Sequence, residues 1–553
     1  MMDKTKMFKE KDNDAGNVLL IGWDGATFDI IEPLIAQGRL PNIASLMKDG
    51  VWARLKSTIP PLTPVAWTSI STGVNPGKHG IYDAMVYIPA LKKITFVNST
   101  LRKIKPIWSI LSDHRKKVGV MNIPVTYPPD EVNGFLISGM FTPDGVADFI
   151  YPPGLKAEIE NKFGRYRIDC AQDDNPSIYL KSILDVEVDF REKAASYLMD
   201  RYALNFFFVV FMASDRVQHF YWKYLDPSHP EHHKYGDAIA VVYERMDQAL
   251  GRLLKKTGSD TNVLIVSDHG AGPLTSAFFL NNWLIKNGYL YFKEDPAIAF
   301  NKKRPSRVKS QLIKSIKKVI PSAILDKIKP RGDGAHQEEI NLFYSLIDWD
   351  KTVAFSEGAG GGIYINPETV KPEKYNEVLS RIIQGFYNLT DPYGKKVVKN
   401  VYQKNDIYSG EYLVNAPDLT VICNEGYQII APNEFLYFNK EYEDTLFLSH
   451  RWSGRHEEHG IFLLKGPAVK KNIKIDGCRI IDIAPTILYL MNEAIPEYMD
   501  GKVLLEVIDE EYLSNNPVHW TSDTIQQDRS GQSFSKNEEN EIRDKLKNLG
   551  YIE

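Results

Sequence analysis

The chain has 553 residues, 43% of them hydrophobic and 25% charged, with a net charge of −4. That length accommodates one large domain with an insertion, or two to three domains, and the near-neutral balance argues neither for nor against a nucleic-acid partner. Cys170, Cys423 and Cys478 stand far apart with no CxxC, which excludes a thiolate metal site and a disulfide framework and suits a reducing compartment.

Met1 to Gly16 is polar and charged, without the apolar stretch of a secretory signal. The longest apolar run, Phe206 to Ala213, has strand length, well short of the roughly 20 residues a membrane span needs. The expected location is therefore the cytoplasm. Short apolar runs then alternate with amphipathic stretches, the pattern of βα units and a mostly parallel sheet. Val18–Gly22, Val118–Ile123, Phe206–Met212 and Val263–Val266 read as buried strands. Val241–Lys256 reads as a helix, with Val242, Met246, Leu250 and Leu253 at three- and four-residue spacing.

From about Leu290 the character changes. Lys302 to Arg331 holds eleven Lys or Arg against one acid, Asp326, with apolar residues at helical spacing. It can be a solvated helix covering the core, a lid that attracts an anionic substrate, or a contact with an anionic membrane surface. Pro305, Pro321 and Pro330 break it into short pieces and weaken the membrane reading. Beyond lie Gly-rich Ser356–Gly362 and the strand-like Ile363–Ile365 and Leu419–Ile422. The expected organisation is an α/β core of residues 17–290 and 445–510, an inserted cap of 291–444, and a polar connector with a C-terminal helix over 511–553. In that last helix Ile542, Leu546 and Leu549 share one face.

The chemistry concentrates where apolar runs end. Run 18–22 ends in Trp23-Asp24-Gly25, run 206–212 in Ala213-Ser214-Asp215, and run 263–266 in Ser267-Asp268-His269-Gly270. Ligands of open α/β sheets sit at the carboxyl ends of the strands, so the three aspartates are expected in one crevice. A lone Asp after a strand is more often a cap or turn residue; three together, two of them with histidines, favour ligation. Asp215 and His219 share a face if a helix starts there, although a surface pair would show the same spacing. Asp and His ligands without Cys suit Zn²⁺ or Mn²⁺ better than Ca²⁺ or Mg²⁺. Thr63 precedes Pro64 and a plausible helix through Gly73, which makes it the expected N-cap. Capping alone would explain it locally. Between ligand sets on either side it becomes the candidate nucleophile, its alkoxide favoured by the helix dipole and by a metal ion.

In order along the chain, these pieces resemble the type I phosphodiesterase/nucleotide pyrophosphatase branch of the alkaline phosphatase superfamily. The matching segments are Leu20–Ala26, Thr63–Gly73 with Asn75–Gly80, Asp215-x-x-x-His219 and Ser267–Gly270. Late in the chain follow Gly454-Arg-His456 with Gly460–Pro467, then Asp482–Thr486 with Met499–Gly501. The resemblance implies an alkaline-phosphatase-like fold, a mostly parallel sheet sandwiched by helices. It implies two divalent ions, Zn²⁺ favoured and Mn²⁺ the alternative. One would be held by Asp215, His219 and His456, the other by Asp24, Thr63, Asp268 and His269. His456 is preferred over the nearby His450 and His459 because it follows Gly454-Arg455 at the family's spacing, and His79 matches a structural His-Gly turn. The implied reaction is hydrolysis of a small anionic phosphate ester through a phosphothreonine on Thr63, with catalysis mostly electrostatic.

One departure narrows the substrate. Nucleotide-cleaving relatives carry an asparagine shortly after the His-Gly turn, where this chain reads Ile81-Tyr-Asp-Ala-Met85. Phosphodiesterase activity is favoured, with phosphomonoesterase or phosphotransferase as alternatives within the same chemistry and a catalytically silent metal-stabilised binding protein as the rival of another class. Sulfatase is disfavoured, since Thr63-Pro-Val-Ala-Trp67 offers no Cys or Ser for conversion to formylglycine.

Overall fold

The computed structural model describes residues 16–88, 93–143, 146, 148–295, 344–430, 446–448, 452–522, 534–535, 538–539 and 541–543. The basic stretch 302–331, His450, and Leu546 and Leu549 of the expected C-terminal helix lie outside the described residues.

A nine-stranded sheet organises the fold. Its order is Ile473–Lys474, Val51–Lys56, His459–Lys465, Thr261–Val266, Asn17–Trp23, Phe206–Phe211, Val118–Ile123, Gly134–Ser138 and Ile150–Tyr151. The five strands from Thr261–Val266 to Gly134–Ser138 all run parallel. His459–Lys465 lies antiparallel between two neighbours, and Ile150–Tyr151 is an antiparallel edge. The expected strands form within a residue or two of their sequence bounds.

Side chains alternate between two cores, as a pleated strand buried on both faces requires. Val18 and Leu20, with Phe206, Phe208 and Val210, face the helices Thr63–Thr72, Ile107–Asp113 and Ile483–Leu490. Leu19, Ile21 and Trp23, with Phe207, Val209 and Phe211, face Phe28–Ala36, Pro41–Asp49, Arg191–Arg201 and Ala238–Leu254. The result is a sheet sandwiched by helices. The last of these begins three residues before, and ends two residues before, the bounds expected from periodicity, yet Val242, Met246, Leu250 and Leu253 are all buried as that periodicity required.

Among the described residues, two four-stranded sheets accompany the first, besides two of two strands each. One is antiparallel, in the order Ala354–Phe355, Gly362–Ile365, Leu419–Cys423, Val398–Gln403. The other is built on Gly270–Phe279, which pairs with Gly426–Ile430, Phe447–Leu448 and Gly454–Glu457. Among the described residues no helix is long and apolar enough to cross a membrane. Cys170, Cys423 and Cys478 are buried and unpaired with one another.

Candidate metal centre

Register brings the strand-end acids together. Gly22 pairs with Val266 on one side and Val210 on the other, and Trp23 pairs with Phe211. Asp24 therefore leaves the sheet at the same edge as Asp268, two residues past Val266, and Asp215, four past Phe211. Asp215 falls in the first turn of the helix Ala213–Tyr221 and His219 one turn later, so their side chains meet at 3.0 Å, Oδ1 to Nε2. His456 arrives from far along the chain through a ladder. In the antiparallel pairing of Gly270–Phe279 with Gly454–Glu457 it sits opposite Ala271, two residues after His269.

The side chains form two groups. Asp215, His219 and His456 each offer an atom within 4.8 Å of the others, and so do Asp24, Asp268 and His269. The groups abut, with the His269 and His456 rings stacked at 3.7 Å between centroids. Gly25 sits between them at φ +64°, a conformation that glycine adopts without strain. A Cβ there would lie 3.3 Å from Asp215 Oδ1 and 3.3 Å from His269 Cε1.

Hydrogen bonds fix the tautomer of all three imidazoles. The Nδ1 of His219 contacts Gly454 O at 2.8 Å, that of His269 contacts Gly270 O at 2.9 Å, and that of His456 contacts Pro61 O at 3.0 Å. A carbonyl can only accept, so each Nδ1 carries the proton and each neutral ring presents a lone pair at Nε2. Yet His219 Nε2 and His456 Nε2 lie 3.0 Å apart, with Asp215 Oδ1 at 3.0 and 3.5 Å. Three acceptors converging on one point fit a cation. The second group fits one as well: Asp24 Oδ1 and Asp268 Oδ2 are buried and accept no hydrogen bond, a costly arrangement for carboxylates without a positive partner.

Electrostatics agree. Burial, then the charges of Asp268 and Asp215, push the Asp24 carboxyl well above the ordinary carboxylate range. Burial also pushes Asp268 up, against a hydrogen bond from Gly25 N at 3.2 Å. For Asp215 burial again acts upward, but positive charge at His219 and His456 outweighs it and holds the group well below its ordinary value; with the rings neutral, a cation at their Nε2 atoms would supply that charge. Burial, then His456, keeps His269 neutral far below the usual histidine range.

Thr63 is fully buried, and its Oγ1 lies 3.2 Å from His269 Nε2. The expectation that it caps its helix is corrected. The N-cap is Leu62, in extended backbone, and Thr63 is already the first helical residue with Pro64 after it. The extended backbone at Leu62 thus moves the cap back by one residue, and the threonine hydroxyl lies beside His269 rather than at the capping position. His459 is exposed, so of the late histidines that are described, His456 alone joins the cluster. His79 is buried and accepts from Ile81 N at Nδ1 while Nε2 contacts Ser69 Oγ at 2.9 Å, which ties the His-Gly turn to the Thr63 helix.

Sequence reasoning passes over Trp67. Its Nε1 donates to Asp24 Oδ2 at 2.6 Å; its position one helical turn after Thr63 is the available signal. Ala84 stands after Asp83 in the stretch that lacks an asparagine. Asp83 is itself buried and accepts from Ala84 N and from Gly360 N at 2.9 Å, which anchors the Gly-rich segment to the turn.

The profile of the family described as type I phosphodiesterase / nucleotide pyrophosphatase matches residues 18–443. A search of the curated proteins finds no match. Among solved structures, human ectonucleotide pyrophosphatase / phosphodiesterase 5 aligns over 90% of this chain and 99% of its own, at 16% identity and a TM-score of 0.50. Phosphonoacetate hydrolase from Sinorhizobium meliloti 1021, in complex with phosphonoformate, aligns over 86% of this chain and 95% of its own, at 13% identity and a TM-score of 0.50. At these identities the likeness is one of fold.

Proposed function

Since the chain belongs to the type I phosphodiesterase/nucleotide pyrophosphatase family of the alkaline phosphatase superfamily, we propose that it hydrolyses phosphate esters, diesters foremost, with Thr63 as nucleophile. The observation that carries this reading is the position of Thr63 Oγ1, buried 3.2 Å from His269 Nε2 at a centre of two adjoining ligand groups.

Asp215, His219 and His456 would hold one divalent cation, and Asp24, Asp268 and His269 the other, with Thr63 on the second. Nitrogen and carboxylate donors without thiolate suit Zn²⁺, with Mn²⁺ as the alternative. When bound, the cations supply the positive charge that favours the threonine alkoxide and offsets charge on the phosphoryl oxygens. Thr63 Oγ1, its proton released to solvent water, attacks phosphorus in line; the Oγ1–P bond forms as the ester P–O bond breaks, and the leaving oxygen takes up a proton from solvent water as an alcohol. Water then attacks the phosphothreonine, the Oγ1–P bond breaks, and Thr63 regains its proton as the product is released. The backbone carbonyls of Gly454, Gly270 and Pro61 hold the three rings in the ligating tautomer throughout, which limits reorganisation during the reaction.

Residues 291–444 are proposed as an insertion that shapes substrate selection. The return of the chain to the main sheet at His459–Lys465 supports this division. The test of the whole reading is the purified protein, with Zn²⁺ or Mn²⁺, on bis-p-nitrophenyl and p-nitrophenyl phosphate. Turnover that Thr63→Ala abolishes while bound metal persists supports it. Unchanged activity in that variant removes Thr63 from the mechanism, and silence of the metal-loaded wild type on both esters favours a binding role.

A further inference from the structure

We propose that Arg216 is a positioning residue of this centre: it holds the Asp215 carboxylate so that one oxygen, Oδ1, faces the ion shared with His219 and His456. This rests on the two-ion reading above and deepens it.

Asp215 and Arg216 are consecutive in the first turn of the helix Ala213–Tyr221. Arg216 is fully buried, so its charge has to be met by acids within the core. On one side its Nη1 lies 3.5 Å from Asp215 Oδ2. On the other its Nη2 lies 3.6 Å from Oδ1 of Asp169, a buried side chain, and 3.8 Å from Met140 Sδ. The two oxygens of Asp215 are thereby divided. Oδ2 faces the guanidinium, while Oδ1 lies 3.0 Å from His219 Nε2 and 3.5 Å from His456 Nε2. A carboxylate held in this way offers the ion a single oxygen in a fixed direction.

Asp169 can anchor Arg216 because the segment that carries it, outside any helix or strand, is tied down on both sides. Ile168 O accepts from Arg191 Nη2 at 2.6 Å, and Cys170 N donates to Glu187 Oε1 at 2.7 Å. Glu187 and Arg191 are themselves a buried ion pair four residues apart. They stand where a π-helical stretch, Ile183–Phe190, runs into the helix Arg191–Arg201, an irregularity frequent at functional sites. A line of buried charges therefore runs from this junction through Asp169 and Arg216 to Asp215. Arginine suits the middle place, because its planar fork meets two carboxylates at once where the compact ammonium of lysine does not.

The experiment is a competition titration of the full-length protein with Zn²⁺ against a chelator, fitted to two sites. Asp268→Asn and His219→Ala assign each constant to its ligand group. Arg216→Lys keeps the buried charge but loses the fork. Arg216→Met combined with Asp169→Asn removes the Arg216–Asp169 pair whole, so that no uncompensated charge of that pair is left in the core. In each, the ion at Asp215, His219 and His456 should bind about 10- to 100-fold more weakly, while the ion at Asp24, Asp268 and His269 keeps its affinity within about twofold. The two variants leave different charges behind, so misfolding of one leaves the other to decide, and misfolding of both would make Arg216 a structural residue and overturn the positioning role. An unchanged or tighter constant at Asp215 in a folded variant, or two constants weakened alike, overturns it as well and leaves the two-ion reading standing. A wild type that binds fewer than two ions overturns that reading, and this inference with it.

Discussion

Trp67→Phe isolates the support of a single ligand. Trp67 Nε1 donates to Asp24 Oδ2 at 2.6 Å, and Asp24 Oδ1 accepts no hydrogen bond, so among the described residues this is the one hydrogen bond that carboxylate receives. Asp24 is fully buried, and a hydrogen bond to a charged, buried group contributes about 1.5–3 kcal/mol. Phenylalanine keeps a ring in the same core, where Trp67 packs on Phe208 at 5.9 Å, but offers no donor. If the bond serves to hold Asp24 as a ligand, the ion at Asp24, Asp268 and His269 should bind about 10- to 150-fold more weakly. The ion at Asp215, His219 and His456 should keep its affinity. A competition titration against a chelator, fitted to two sites, reads both constants, and urea unfolding of the metal-free form separates the loss of core volume. Two constants unchanged within twofold, or both weakened alike, would remove this role from Trp67.

Other perturbations test other parts of the centre. Asp268→Asn and His219→Ala should each lower bound metal from two ions toward one per chain by elemental analysis; retention of two in either variant removes that residue as a ligand. Gly25→Ala places a methyl group 3.3 Å from Asp215 Oδ1 and His269 Cε1 at a positive φ. It should cost about 1 kcal/mol or more in stability and lower kcat/KM at least tenfold, and wild-type kinetics would show that the space between the groups is not needed. His79 supplies a pH dependence. Burial, then Arg102, lowers it from 6.5 to about 3, so the folded form stays neutral while the unfolded chain takes up a proton below pH 6.5. Its contribution is fully present above pH 6.5 and is lost as pH falls toward 3, about 2 kcal/mol by pH 5. Urea midpoints at pH 7 and 5 should therefore diverge less in His79→Gln than in the wild type, and equal differences would contradict the assignment.

Much of this centre is legible in the sequence because it obeys two local rules. Aspartates at the carboxyl ends of parallel strands converge, and residues four apart on a helix share a face; Asp24, Asp268, Asp215 and His219 follow from these alone. His456 does not, because it reaches the site through a ladder with Gly270–Phe279 whose register depends on packing far along the chain. For it the family resemblance supplies what periodicity cannot. Thr63 lies beside the centre, but not as the cap that its sequence suggests: the pattern Thr-Pro favours an N-cap, whereas extended Leu62 takes the cap and leaves the hydroxyl beside His269. The tautomers of the three histidines are beyond the reach of sequence, since they depend on the carbonyls of Gly454, Gly270 and Pro61, which come from three separate segments. The strand-like pieces Ile363–Ile365 and Leu419–Ile422 are visible as apolar runs, but their antiparallel pairing into one sheet is not.

A covalent phosphothreonine on Thr63 is the step on which the mechanism turns, and the stereochemistry at phosphorus tests it most directly. A p-nitrophenyl phosphorothioate diester of known configuration, turned over in isotopically labelled water, passes through two in-line displacements if Thr63 forms the intermediate. Net retention of configuration is the expected result. Net inversion would mean a single displacement by water and would contradict the intermediate.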